Sequence, residues 1–260
     1  MNDLAMDDLA HLLLQIEWGA DEALEDAPLD RLRPVQAPPI SLQPRPDADV
    51  RPVAAQDGTP AEKALRAATQ AATLEALKAA ISGFDGCPLK DMATNLVFAA
   101  GDPGTGVLLI GGAPGAEEDR AGLPFMGPEG ALLDQMLASV GLTREEMLLT
   151  PILPWRPPGG RAPTPGEIQV CRPFLARLIT LAAPERIVLF GPLAAATVLG
   201  AGARPRTIGW TEALVEGAAR RVLVLPALAD VMKTPVRRRD AWAGMRALRR
   251  SMGQAKGGLP

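Results

Sequence analysis

Four short apolar runs constrain this chain more than any other feature. "GVLLIGG" (106–112), "EMLLTPI" (146–152), "RIVLFG" (186–191) and "RVLVLP" (221–226) are nearly continuous in hydrophobic residues. A strand with one wet face alternates apolar and polar residues. An uninterrupted run needs cover on both faces, as parallel strands have. Helical patterns alternate with these runs over 128–140, 165–182, 192–199 and 236–250. Strand–helix alternation predicts βαβ units, and with them a three-layer αβα sandwich around a central four-stranded parallel sheet. Right-handed crossovers put the ligand crevice at the carboxyl ends of such strands. The loops 111–127, 151–163 and 225–235 all leave from those ends, so the sequence predicts one shared rim.

The remainder of the chain reads differently. Leu4, Leu9, Leu12, Leu13 and Ile16 recur at helical spacing, which predicts a helix over 3–18 in an N-terminal region 1–26. That helix either packs on its own domain or recruits a protein partner. Residues 27–60 are rich in Pro, Ala, Asp and Arg. They bury too little apolar surface to offset their ordering entropy and read as a linker. A helix over 60–82, with Pro60 suited to its first turn, opens an α/β domain assigned to 61–255. A tail, 256–260, follows.

Composition narrows the function classes. With 260 residues, 47% of them hydrophobic, the chain can bury one sizeable core. A net charge of −3 excludes an overall basic footprint and leaves local patches, "RRRD" (237–240) and "RALRR" (246–250), as nucleic-acid contacts or solvated helix faces. No run approaches a membrane span and the start has no basic n-region, so the expectation is a cytoplasmic protein with no membrane contact. Two cysteines, Cys87 and Cys171, make neither a disulfide framework nor a complete metal site.

The loop after the first run is the most informative segment. "LLIGGAPGAEEDRAGLPFMGPEGALLDQML" (108–137) has neither dinucleotide glycine spacing nor the Lys-Ser/Thr of a phosphate loop. Its glycines let backbone approach a ligand closely. Glu117, Glu118 and Asp119 either face that ligand or carry exposed loop charge. Phe125 stands alone in a polar loop, as a ring that stacks on a flat ligand or as an ordinary core residue.

Taken together these residues resemble the type-4 uracil-DNA glycosylases, whose first motif reads GEAPG, acidic residues, PF-x-G and then a helix. The similarity continues through "FDGCPLKDMATNLVFAAGDP" (84–103), "TPILPWRPPGGRAPTPGEIQVCRPFL" (150–175), "RIVLFGPLAAATVLG" (186–200) and "KTPVRRRDAW" (233–242). It reaches "LLLQIEWGADEALEDAPLDR" (12–31) in versions with an N-terminal extension. The resemblance implies a uracil-DNA glycosylase-like fold, DNA as partner, single- or double-stranded, and a role in base excision repair. In the family a uracil flips out of the DNA into a tight pocket. There a Phe stacks on it, an Asn reads its edge and a His stabilises the developing charge.

Carried over residue by residue, the stacking Phe falls on Phe125. The base-binding turn falls on Gly111, Ala113, Pro114 and Gly115, and the acidic residues on Glu117, Glu118 and Asp119. Three positions depart. The Glu of GEAPG becomes Gly112, and the reading Asn becomes Pro151. The His becomes Leu225 if the strand end anchors the alignment, or Ala227 if "KTP…AW" does. The chain's one histidine is His11, inside the predicted N-terminal helix and outside the α/β domain. Loss of one donor aimed at developing charge costs about 10²–10³ in rate. Three such losses predict weak or absent uracil excision with the base pocket retained. Two other readings stand beside this one. One is a non-catalytic DNA- or protein-binding module that recruits its partner through residues 3–18. The other is an enzyme with an altered base or reaction, with Glu118 or Asp119 as its catalytic general base.

Arg156, Arg161, Lys233 and Arg237 stand where DNA-backbone contacts belong, or form a solvated surface. Many family members hold a [4Fe–4S] cluster on four cysteines. Cys87 and Cys171 match two of those positions, while Phe84 and Trp155 occupy the others. The resemblance therefore implies a lost cluster, no metal and no cofactor, with Cys87 and Cys171 adjacent as buried thiols.

Overall fold

A computed structural model describes residues 58–200 and 209–255. The expected N-terminal helix, the linker up to residue 57 and the tail at 256–260 lie outside the described residues.

Six strands form one sheet: β1 (Ala100–Gly101), β2 (Val107–Gly111), β3 (Leu148–Pro151), β4 (Arg186–Phe190), β5 (Thr211–Val215) and β6 (Ala218–Leu225). Their order is β1-β3-β2-β4-β6-β5. The four strands expected from the apolar runs are β3, β2, β4 and β6, and they pair in parallel at the centre. Two antiparallel edge strands, β1 beside β3 and β5 beside β6, extend them. The sheet is therefore mixed, with a parallel core. Neither edge strand was legible in the apolar pattern: β1 is two residues long, and four of the five residues of β5 are exposed or half-buried.

The layers follow from the two-residue period of a strand. On one face Leu108, Ile110, Ile187, Leu189, Val222 and Val224 pack into a single core cluster. Helices α1 (Pro60–Gln70), α2 (Leu74–Ser82), α6 (Pro165–Ala182) and α7 (Gly191–Leu199) cover it. On the other face Val107, Leu109, Val188, Phe190, Leu223 and Leu225 pack under α5 (Gly127–Ser139), α8 (Leu228–Lys233) and α9 (Pro235–Ala255). Among the described residues, two short helices, α3 (Leu89–Met92) and α4 (Ala116–Ala121), complete the α-helices. This is the three-layer sandwich that buried strands require.

One expected helix is two. The pattern over 60–82 breaks at Ala71–Thr73, where Ala71 is extended and Thr73 caps α2 by accepting the Ala76 amide at 3.1 Å. The freed Ala71 carbonyl accepts Nε and Nη2 of Arg177 on α6, at 2.9 and 2.7 Å. Each half buries its own side, Ala64 and Ala68 in α1 and Leu77 and Ile81 in α2, and nine residues from Ala68 to Leu77 would put these on opposite sides of one continuous helix.

Register fixes the rim. Gly111 of β2 lies opposite Pro151 of β3, and Phe190 of β4 opposite Leu225 of β6. Loops 111–127, 151–163 and 225–235 thus leave from one edge of the sheet, as expected.

Candidate functional site

A cavity of about 410 Å³ opens between the carboxyl ends of β2, β4 and β6. Four structures frame it: the turn 111–116 leading into α4, the start of α5, the start of α7 and the start of α8. Gly111, Gly112, Ala113, Gly115, Glu117, Glu118, Phe125, Glu129 and Ala227 are among its walls. Pro114 is buried and stands outside those walls.

Phe125 is held in an unusual conformation. Its φ is +55°, a left-handed value that bulky residues adopt only when their surroundings impose it. Two side chains do so. Oε1 of Glu118 accepts the Phe125 amide at 2.5 Å, and Nη2 of Arg144 donates to its carbonyl at 2.8 Å. Arg144 is itself anchored by the Gly130 carbonyl and Asp134. Two glycines make room: a Cβ at Gly130 would overlap the Phe125 carbonyl at 1.8 Å, and one at Gly111 would come within 2.9 Å of the ring. The ring meets Phe190 edge-on, with centroids 5.8 Å apart. Phe125 is thus 95% buried by its own fold and still forms part of the cavity wall. The core reading of Phe125 therefore holds, and the same residue also lines the cavity.

The three acids of the loop have different surroundings. Glu118 uses both oxygens: Oε2 accepts the Gly115 amide at 2.7 Å while Oε1 holds Phe125. Burial pushes its carboxyl above the usual range, and the two amide bonds only partly offset that. Asp119 turns away from the cavity. It is buried, and its Oδ1 accepts the amides of Thr94 and Asn95 at 2.8 and 3.1 Å, tying that loop to α4. Glu117 lies on the wall but is exposed and pairs with Arg120.

A fourth carboxylate, Glu129 in the first turn of α5, was not singled out by the sequence. Burial raises its pKa as well, with Lys233 lowering it and Asp230 raising it. The available signal was its place two residues past the loop glycine, in a helix start with no side-chain cap.

The three departing positions separate on inspection. Gly112 is exposed on the wall with open space where a Cβ would project. Ala227, at the start of α8, also lines the cavity, whereas Leu225 is 98% buried under α9 against Gly244. Of the two alignments, the geometry brings position 227 to the cavity and leaves 225 in the core. Pro151 ends β3 and lines a separate small cavity with Ile152 and Phe174, away from Phe125.

The basic residues are also unequal. Arg161 grips Glu167 through two bonds, at 2.9 and 2.6 Å, and Glu167 closes a capping box with Thr164 at the start of α6. Arg156 is half-buried, and its Nε is buried without a hydrogen-bond partner among the described residues. Lys233 ends α8 and Arg237 lies in the first turn of α9, both exposed, and the Lys233 charge acts on Glu129. Cys87 and Cys171 face each other with Sγ atoms 3.8 Å apart, both buried. Phe84 and Trp155 belong to the same core cluster. The Cys171 thiol donates to Cys87, and that bond with burial pushes its pKa up. Two thiols packed among aromatic rings do not fit a four-cysteine cluster. Among the described residues no group of three or more His, Cys, Asp or Glu stands ready for a metal. No described helix is long and apolar enough to cross a membrane.

Fold and site together define a class: an αβα sandwich whose rim carries a ring-walled cavity. A family model described as the Uracil DNA glycosylase superfamily matches residues 98–246, more than half of the chain, and the chain belongs to that superfamily. Among curated relatives, the type-4 uracil-DNA glycosylase of Pyrobaculum aerophilum is 36% identical over 126 residues, covering 48% of this chain and 64% of that protein. The enzyme of the same description from Archaeoglobus fulgidus is 42% identical over 109 residues, covering 42% and 55%. That from Thermotoga maritima is 39% identical over 108 residues, covering 42% and 56%. The chain spans between half and two thirds of the length of these relatives.

Proposed function

We propose that this chain binds DNA and takes a nucleobase into the cavity beside Phe125, with uracil excision weak or absent. Relatives described as type-4 uracil-DNA glycosylases support DNA repair as the setting, which accords with the expected cytoplasmic location. The observation that carries the reading is one cavity wall. Phe125, pinned by Glu118 and Arg144, puts an aromatic ring on the wall, while Gly112 and Ala227 offer no side-chain donor there. A base can be stacked there, but charge developing on it meets no imidazole. Glu118 has both oxygens committed to backbone amides, so in this reading it positions Phe125 and does not act as a general base. Asp119 likewise serves the loop at 94–95. Backbone contacts to DNA fall to Arg156, Lys233 and Arg237, with Arg161 engaged by Glu167.

We further propose that the iron–sulfur cluster of the family is lost here, with Phe84 and Trp155 filling the space beside the two thiols. The test of function is an excision assay on uracil-containing single- and double-stranded oligonucleotides. Saturable binding without alkali-labile cleavage is expected. Efficient cleavage of either substrate would overturn the proposal.

A further inference from the structure

Helix α9 carries Arg237, Arg238, Arg239, Arg246, Arg249 and Arg250, all exposed. At 3.6 residues per turn, Arg239, Arg246 and Arg250 fall within roughly 40° of one another, with Arg238 and Arg249 on one flank. The opposite side carries Ala241, Met245 and Leu248, each fully buried under the sheet. The helix's one acid, Asp240, is half-buried and lies off the arginine face. None of Arg239, Arg246, Arg249 and Arg250 has an ion-pair partner among the described residues. By the same helix geometry Trp242 lies between Arg246 and Arg249 around the axis, half-buried and packed against the core. The charge of the chain is also unevenly distributed. Residues 1–57 hold twelve acidic and four basic side chains, and residues 58–260 hold eighteen and twenty-three. A chain of net charge −3 thus carries a domain of net charge +5.

We propose that the outer face of α9 is a track for single-stranded nucleic acid, with arginines on successive phosphates and Trp242 stacking on an unpaired base. Cationic grooves with interleaved aromatics recognise single strands in this way, and stacking needs a base free of its partner. The track from Arg239 to Arg250 is roughly 16 Å long. Its helix starts two residues after Lys233, which ends α8 on the cavity side of the sheet's rim. A bilayer is the poorer partner, because the apolar face that an interfacial helix inserts is here already buried. The inference rests on the DNA reading for the class of partner, but its contacts are separate from the cavity.

The test is a fluorescence titration of the full chain with oligothymidine of about 16 nucleotides at several salt concentrations. Binding is expected to quench tryptophan emission, and W242F should remove most of that quench. R239Q/R246Q/R250Q should weaken binding by about tenfold or more and make the slope of log K against log salt shallower by about two. Unchanged melting temperatures would confirm that both variants fold. Unchanged affinity and slope in the triple variant would overturn the track. So would inorganic polyphosphate binding equally well with W242F behaving as wild type, or binding to anionic vesicles but not to oligothymidine. Repeating the titration with one deoxyuridine in the oligonucleotide separates the two readings. A failed cavity shows as no preference for uracil, and a failed track as no effect of the arginine substitutions on either strand.

Discussion

Phe125 shows how much of this site is decided by single side chains. Its left-handed backbone is supported by one carboxylate and one guanidinium, so each support has its own measurable signature. Burial raises the Glu118 pKa, which means the folded state favours the protonated form. That contribution is complete below the usual carboxylate value of 4.5 and disappears as pH rises through the raised value. Stability of wild type relative to E118Q should therefore fall as pH rises above 4.5, as read from denaturation midpoints across that range. A flat difference would show that Glu118 is not desolvated. Phe125→Ala should cost about 3 kcal/mol, because a buried ring is lost from contact with Phe190. Histidine substitutions separate the two alignments physically. Leu225→His places a polar ring in the packed layer against Gly244 and should cost about 3 kcal/mol or more. Ala227→His projects toward the cavity and should leave the melting temperature nearly unchanged.

At the scale of elements, the start of α6 sets the loop at 151–163 beneath the rim. Thr164 and Glu167 cap each other's amides, and Arg161 closes on Glu167 from the preceding loop. The guanidinium holds the Glu167 carboxyl down at about 2. A depressed carboxylate contributes stability that is present above its usual value of 4.5 and lost as pH falls through about 2. E167Q should remove that acid dependence, and Thr164→Ala should cost about 1 kcal/mol at neutral pH. Chemical denaturation at pH 7 and at pH 3 checks both. These elements also show where sequence reading succeeds. Parallel strands buried on both faces announce themselves as apolar runs, and the expected span 165–182 coincides with α6 (Pro165–Ala182). Elements held by backbone pairing or by one cap carry no such signal. Strand β5 is mostly exposed and exists because β6 pairs with it, and the break before α2 depends on Thr73 and on a carbonyl claimed by Arg177 from across the fold.

The whole molecule sets the site by topology, and that much was legible: buried runs fix the sheet, the sheet fixes its carboxyl edge, and the edge gathers the loops. What the linear chain conceals is which side of a residue faces the cavity. Asp119 and Glu118 are neighbours in sequence, yet one serves a distant loop and the other the ring. The cysteine pair carries the same lesson through the core. Cys87 and Cys171 are eighty-four residues apart, and the fold brings their sulfurs to 3.8 Å inside the layer formed by α1, α2 and α6. A cluster in that place needs about four thiolates, and aromatic rings cannot ligate iron. In the proposed loss their volume takes the cluster's place: Phe84 packs edge-on to Phe174 at 5.2 Å and Trp155 is 97% buried. Chain purified without oxygen from iron-replete cells should hold far less than one iron, with no visible cluster absorbance, and should melt at the same temperature after chelation. Iron near about four atoms per chain, or a melting temperature that falls on chelation, would show that the fold still closes around a cluster by recruiting ligands beyond the two cysteines.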